Sequence, residues 1–296
     1  MQRAGVIGLG DMGSGLAKNL IANRFETTGL DLSADRMSAF VALGGRPAAR
    51  PAEVGARADA VFVMVMNGAQ ATAVTLGEDG LITTMQPGSA VILTATILPA
   101  EARDLASGLE GSGIHLIDSP VSGGLAGAQN GTLTMMAAGS EAALDHCRPV
   151  MQAVSQVIHR VGDTPGMGQT VKACLQSVTG SIFSATFEAA ALAAKAGIKG
   201  QVLHDVISSS VAGCRAVDMA LGNIIERRFS GGGSHIDTMH KDLTIVLSLA
   251  RELGVPMFTA ATAMQLFQAG KTKHPDGDNW IVARLLEDIV GAELHR

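Results

Sequence analysis

Gly8, Gly10 and Gly13 set the pattern G-x-G-x-x-G between an apolar run, Ala4 to Ile7, and a helix-like pattern of Leu16, Ala17, Leu20 and Ile21. Few short patterns restrict a chain so strongly. A strand that turns straight into a helix needs one glycine for the tight turn. A second lets a ligand approach the backbone, and a third lets helix and strand pack. The helix N-terminus then offers N–H groups to a phosphate. Asp31 follows Gly10 by 21 positions and closes the next apolar run, Thr27 to Leu30. An acid about 20 residues downstream suits a ribose 2′-hydroxyl. Gly8, Leu9, Gly10, Asp11, Met12 and Gly13 are therefore the candidate pyrophosphate turn of a dinucleotide site, and Asp31 its candidate ribose ligand. The same carboxylate repels a 2′-phosphate. Leu32 and Ser33 follow it, and Arg36 is the nearest guanidinium. NAD is favoured on this pattern, and NADP is the less favoured alternative.

The chain of 296 residues has room for two domains of about 150 residues each, and 47% hydrophobic residues suffice for substantial cores. A net charge of −5 without a basic run argues against nucleic acid as a partner. The longest apolar runs, such as Ala60 to Met66, fall far short of the roughly 20 residues of a membrane span. The N-terminus enters a strand almost at once, leaving no room for a signal peptide. A soluble cytoplasmic protein is expected. Cys147, Cys174 and Cys214 are odd in number and widely spaced, which suggests reduced, mostly buried thiols.

Up to residue 162 short strand-like runs alternate with helical segments. The strand candidates are Ala4–Ile7, Thr27–Leu30, Ala60–Met66, Ala90–Leu93, His115–Asp118 and Thr132–Ala138, with Val157, Ile158 and Val161 as one more. Such alternation predicts a doubly wound parallel sheet. After Gly162 the character changes to helices over Gln169–Ala196, Gly200–Ser208, Cys214–Glu226, Met239–Leu253, Thr259–Ala269 and Trp280–His295, with Gly197, Gly254 and Gly270 as C-caps. The expected fold is α/β: a Rossmann-type domain over 1–162, then an all-helical domain over 163–296, with the active site in the cleft between them. Gly231-Gly232-Gly233-Ser234 reads as a flexible loop. The histidines, His235 and His240 included, lack metal-ligand spacing, so no metal is assigned.

Three further segments add chemistry. Ser119 to Gly124 follows the strand ending at Asp118 and reads as a loop at the carboxyl rim of the sheet. There Ser122 offers a hydroxyl, and Gly123 and Gly124 expose N–H groups to a carboxylate. An ordinary glycine turn is the competing reading. Lys172 lies on the first turns of the helix opened by Gly166-Met167-Gly168, where the positive end of the helix dipole disfavours an ammonium and favours acid–base work. A solvated helical lysine is the competing reading. Gln176 stands on the same helical face as Lys172.

With GVIGLGDMGSGLAKNL, DSPVSGGLAGAQNGTLTMMAAG (118–139), GMGQTVKACLQ (166–176) and KDLTIVLSLARELGVP (241–256) in order, the chain resembles the β-hydroxyacid dehydrogenase family essentially end to end. The family includes 3-hydroxyisobutyrate dehydrogenases, tartronate semialdehyde reductases and threonate dehydrogenases. The resemblance implies oxidation of a small hydroxy-carboxylate by NAD. It makes Lys172 the general acid/base, and Ser122, Gly123, Gly124 and Gln176 the substrate-binding residues. Thr96 would lie near the nicotinamide ribose, Met66 and Asn67 would line the cofactor cleft, and Lys241 would reach towards the nicotinamide; a helix-start salt bridge with Asp242 is the other reading of Lys241. Gln176 and Leu175 depart from the family's commoner residues, which touches substrate identity. The resemblance also implies a homodimer or homotetramer built through the long helix. The alternative is an NADP(H)-dependent semialdehyde or imine reductase of the same superfamily. Imine reductases generally lack the lysine at 172.

Overall fold

The structure is a computed structural model that describes residues 3–296. Among the described residues the strands are β1 (Arg3–Ile7), β2 (Glu26–Leu30), β3 (Arg46–Pro47), β4 (Ala60–Val63), β5 (Ala90–Leu93), β6 (His115–Asp118), β7 (Val121–Ser122), β8 (Leu133–Ala138) and β9 (Ser155–Gly162). They form one sheet in the order β3-β2-β1-β4-β5-β6-β8-β7, with β9 on β8. The pairs from β3 to β6 are parallel, and β8 runs antiparallel to β6 and β7. This is the doubly wound, mostly parallel α/β sheet expected. The chain divides into two compact units, one ending at Lys172 and one running from Ala173 to Arg296.

In the first unit, helices α1 (Asp11–Ala22), α2 (Ala34–Ala42), α3 (Pro51–Gly55), α4 (Gly68–Leu76), α5 (Pro99–Gly108), α6 (Gly124–Asn130) and α7 (Glu141–Gln152) connect the strands. Successive strand residues point to opposite faces. Accordingly Val6, Phe62 and Ile92 join Leu16, Leu20 and Val150 on one side, while Ile7, Val61 and Leu93 join Val54, Ala71 and Leu105 on the other. Covering both faces requires strands that are apolar throughout, and AVFV in β4 is fully buried. β4 ends at Val63 rather than continuing to Met66. Its neighbour β1 stops at Ile7, whose carbonyl takes a last ladder bond from the Met64 N–H at 2.9 Å. Beyond that point β4 has no partner strand to pair with. β3 and β7, two residues each, are too short to leave a periodic signal.

A helix that begins in the first unit, α8 (Met167–Lys195), continues into the second, where α9 (Gly200–Ser208), α10 (Arg215–Ile225), α11 (Ile236–Leu253), α12 (Phe258–Lys273) and α13 (Ile281–Val290) follow. The core of the second unit gathers Phe183, Phe187, Phe267, Trp280, Leu221 and Leu243. Phe183 meets Trp280 edge-on at 5.4 Å between ring centroids. Gly197 and Gly254 lie just past helix ends, as expected. Gly270 does not: it is buried inside α12, where an added Cβ would meet Val282 at 2.8 Å and Ile236 at 3.0 Å. The need there is close packing, not a cap. Nor is the Gly231–Ser234 segment a free loop, because the buried Asp278 carboxylate accepts the N–H of Gly232 at 2.6 Å and of Ser234 at 2.9 Å. Of the thiols only Cys147 is buried, which pushes its pKa up to about 12; Cys174 and Cys214 are exposed. No helix of the described residues is long and apolar enough to cross a membrane.

Phe187 is fully buried between Phe183 and Phe267. Phe187→Ala should cost about 3–5 kcal/mol, read as a lower urea midpoint for the helical unit.

Candidate active site

The candidate residues of the first unit lie at the carboxyl ends of its parallel strands, the rim at which such sheets bind ligands. Gly8 follows β1 at a φ of +90°, and a Cβ there would strike the Met64 carbonyl. A Cβ on Gly13 would strike the Gly8 carbonyl, so this glycine lets α1 pack on the turn. Gly10 differs, since its missing Cβ would meet nothing nearer than the Arg36 guanidinium at 3.8 Å. The side of Gly10 is thus open for a close-lying group, and no side chain caps α1. These three environments are the ones a bound pyrophosphate requires.

Asp31 lies one residue past β2 and is nearly buried, its side chain 8% exposed. Its carboxylate accepts the Leu9 N–H at 2.7 Å and the Ser33 N–H at 2.8 Å, and Arg36 Nη1 lies 3.6 Å away. The acid therefore braces the glycine turn as well as facing the rim. Met66 and Asn67 follow β4. Asn67 caps α4 by accepting the Gln70 N–H at 2.9 Å, Met66 N–H donates to Gln70 Oε1 at 3.0 Å, and Met66 is 58% exposed. Thr96 follows β5 and is half-buried. A nicotinamide dinucleotide fits this rim.

After β6 the expected loop is partly a strand. Val121 and Ser122 pair antiparallel with Met135 and Thr134, because the backbone groups beside β8 would otherwise be buried without partners. Gly123 and Gly124 both have positive φ and begin α6, and an added Cβ on Gly124 would meet nothing within 4 Å. Lys172 is only 7% exposed, and its Nζ donates to the Val121 carbonyl at 2.9 Å. The structure thus brings Lys172 next to Ser122 and shows a buried amine instead of a solvated one.

Two residues of this unit went unsuspected in the sequence. Asp118, fully buried at the end of β6, accepts through Oδ2 the N–H groups of Gly166 at 2.8 Å and Gln169 at 3.1 Å. Gln169 Nε2 donates to Asp118 Oδ1 at 2.8 Å and to the Ala95 carbonyl at 3.0 Å, while its Oε1 accepts the Ile97 N–H at 3.1 Å. This network ties the start of α8 to the segment around Thr96. Gly168 allows the approach, since a Cβ there would lie 2.5 Å from the Asp118 carbonyl. The one sequence signal was a carboxylate directly after the apolar pair Leu116-Ile117 at the end of a strand. Burial pushes the Asp118 pKa up to about 6, against the pull of the Gln169 and Gly166 N–H groups.

In the second unit, Gln176 is 8% exposed and Asp242 is 2% exposed. Gln176 Nε2 donates to Asp242 Oδ2 at 2.5 Å. Lys241 Nζ lies 3.0 Å from Asp242 Oδ1 at an angle too poor for a hydrogen bond, so that contact is a charge pairing. Lys241 therefore makes the salt bridge with its neighbour that the sequence left open. Asp242 itself had not been singled out.

Comparison with known proteins decides the family. The model of the NAD binding domain of 6-phosphogluconate dehydrogenase matches residues 3–162, and that described as NAD-binding of NADP-dependent 3-hydroxyisobutyrate dehydrogenase matches 166–286. L-threonate dehydrogenase of Escherichia coli (strain K12) is 35% identical over 97% of this chain and 95% of its own. The chain belongs to the β-hydroxyacid dehydrogenase family. It is accordingly an oxidoreductase that acts on hydroxyl groups with a nicotinamide cofactor. A 2-(hydroxymethyl)glutarate dehydrogenase from Eubacterium barkeri is 31% identical over 91% of this chain and 89% of its own. The crystal structure of a 3-hydroxyisobutyrate dehydrogenase from Salmonella typhimurium superposes on this dehydrogenase with a TM-score of 0.88, at 34% identity, covering 96% of this chain and 100% of that one.

The Asp118 pKa gives a signed prediction for this dehydrogenase. Its folded value, about 6, lies above the ordinary 3.8, so its contribution to stability is full below about pH 4 and lost as pH rises through 6. The stability difference between wild type and Asp118→Asn, measured by urea unfolding, should therefore shift against the wild type by about 2 kcal/mol between pH 4 and pH 7.

Proposed function

We propose that this protein is an NAD-dependent β-hydroxyacid dehydrogenase that reversibly oxidises a small hydroxy-carboxylate of the 3-hydroxyisobutyrate, glycerate or threonate type. The observation that carries the reading is Lys172, a buried amine 2.9 Å from the backbone carbonyl beside Ser122. When bound, NAD supplies the acceptor for the hydride of the carbinol carbon. Lys172, neutral, takes the hydroxyl proton at Nζ, and in the reverse direction its ammonium returns that proton to the carbonyl oxygen. The Ser122 hydroxyl and the N–H groups of Gly123 and Gly124 hold the substrate carboxylate. Gln176 orients a hydroxyl of the substrate. Gly8 to Gly13 hold the pyrophosphate, Asp31 the adenosine ribose, and Met66, Asn67, Thr96 and Lys241 the remainder of the cofactor.

Three further points complete the reading. Residues 1–162 bind the dinucleotide, and 163–296 serve substrate binding and self-association. NAD is preferred because Asp31 presents a fixed carboxylate where a 2′-phosphate would sit, and Arg36 is already drawn towards that acid. Self-association as a homodimer or homotetramer is supported by apolar side chains left open on the helical unit, with Val178 at 56%, Leu192 at 72% and Phe258 at 81% exposure.

Lys172→Ala should lower kcat with a panel of short hydroxy acids by about 10²–10⁴-fold, followed by NADH absorbance, with NADH affinity retained. Equal turnover by both proteins would remove Lys172 from the mechanism. Asp31→Ala should shrink the preference for NAD over NADP in kcat/KM by about 10-fold or more, through loss of a hydrogen bond to a charged group. An unchanged ratio would show that the preference arises elsewhere.

A further inference from the structure

Gln176 is the one candidate substrate ligand whose polarity the structure fixes from behind. Its amide has a donor end and an acceptor end, and the two are told apart only by what they face. Here Nε2 lies 2.5 Å from Asp242 Oδ2. The reverse orientation would set the amide oxygen against a carboxylate oxygen, two acceptors with no proton between them. Both residues are buried, so water does not soften that repulsion. The oxygen of Gln176 accepts no hydrogen bond from the described residues. Along α8 it stands one turn past Lys172, about 6 Å and on the same face.

We propose that Asp242 locks the Gln176 amide with its oxygen towards the substrate, so that the enzyme is built for acids bearing a hydroxyl, not an alkyl branch, on the carbon next to the reacting one. The inference rests on the dehydrogenase reading above and narrows its substrate class. The Gln176 residue is 8% exposed, so its oxygen has little water to give up when a substrate donor replaces it, and a site made to bind a hydroxyl rejects the analogue that lacks it. A methyl in that place leaves the Gln176 oxygen without a donor. An ammonium is a donor too, but it gains most from an unbalanced negative charge, and the Lys241 ammonium 3.0 Å from Asp242 balances the one present. Gln176 would touch the substrate; Asp242 acts through it and is a positioning residue.

The test compares glycerate, 3-hydroxyisobutyrate and serine, which differ only in a hydroxyl, a methyl or an ammonium on the carbon beside the carboxylate. The wild type should show kcat/KM for glycerate about 10- to 100-fold above that for 3-hydroxyisobutyrate, and above that for serine. Gln176→Met removes the acceptor at nearly constant length, and Asp242→Asn lets the amide turn round. Gln176→Met should bring the glycerate to 3-hydroxyisobutyrate ratio towards one, and Asp242→Asn should lower it less, since the hydroxyl can still accept from a turned amide, with NADH affinity retained in a fluorescence titration; a merely structural role for Asp242 would lower both acids in parallel. A wild-type ratio at or below one, or a ratio left intact in Gln176→Met, overturns the proposal. Serine ahead of glycerate overturns the choice of hydroxyl. No turnover of any of the three, nor of threonate, by a wild type that binds NADH sinks the small hydroxy-acid reading on which the proposal rests. The wild-type ratios decide the matter even if a variant does not fold.

Discussion

The Asp118 carboxylate holds the start of α8 against the end of β6. It sits with no exposed surface at the end of β6, where an ion is expensive to keep. The site is tolerable because the acid faces donors only: the N–H groups of Gly166 and Gln169 and the side-chain amide of Gln169. Those bonds fix the first turn of α8, and Lys172 lies one turn further on. Gln169 extends the bracing to Ala95 and Ile97, on either side of Thr96. The acid–base role proposed for Lys172 would need such a rigid seat, since proton transfer falls off steeply with misplacement. The opposing pulls on Asp118, burial upward and amide donors downward, are the cost of building that seat inside an apolar sheet.

The glycine turn shows how the same economy of space serves the cofactor rim. Gly8 and Gly13 are glycines because backbone crowds them, Gly10 because nothing does. Asp31 then does two things at once. By accepting the Leu9 N–H it ties the turn to the end of β2, and by doing so it fixes its own carboxylate at the rim.

What could be read from the sequence follows from the range of the forces involved. The strands were legible wherever both faces are covered, because AVFV or AVIL leaves no polar residue to confuse the pattern, and the glycine turn was legible because its geometry is local. β4 was read too long because its end depends on where β1 stops. Gly270 was mistaken for a cap because its reason, the approach of Val282 and Ile236, lies in other helices. Cys174 and Cys214 were placed inside by habit of residue type and lie outside. Of the candidate site, the position of Lys172 on a helix start was legible, but whether its amine is solvated or buried was not. Asp118, Gln169 and Asp242 were not, since each is defined by partners 51 to 74 positions away in the chain.

Two glutamines on α8 make the closing contrast. Gln169 and Gln176 are both buried, and each has its amide polarised by a buried carboxylate, Asp118 for the first and Asp242 for the second. Gln169 uses both ends within the fold: its nitrogen serves Asp118 and Ala95, and its oxygen serves Ile97. It is therefore complete without a ligand, and its task is mechanical. Gln176 uses its nitrogen alone. Its oxygen meets no donor of the described residues and is open to one that a ligand supplies. The same residue type, oriented by the same device on the same helix, is thus structural at one position and receptive seven residues later, and the difference lies wholly in whether the chain itself meets the amide oxygen.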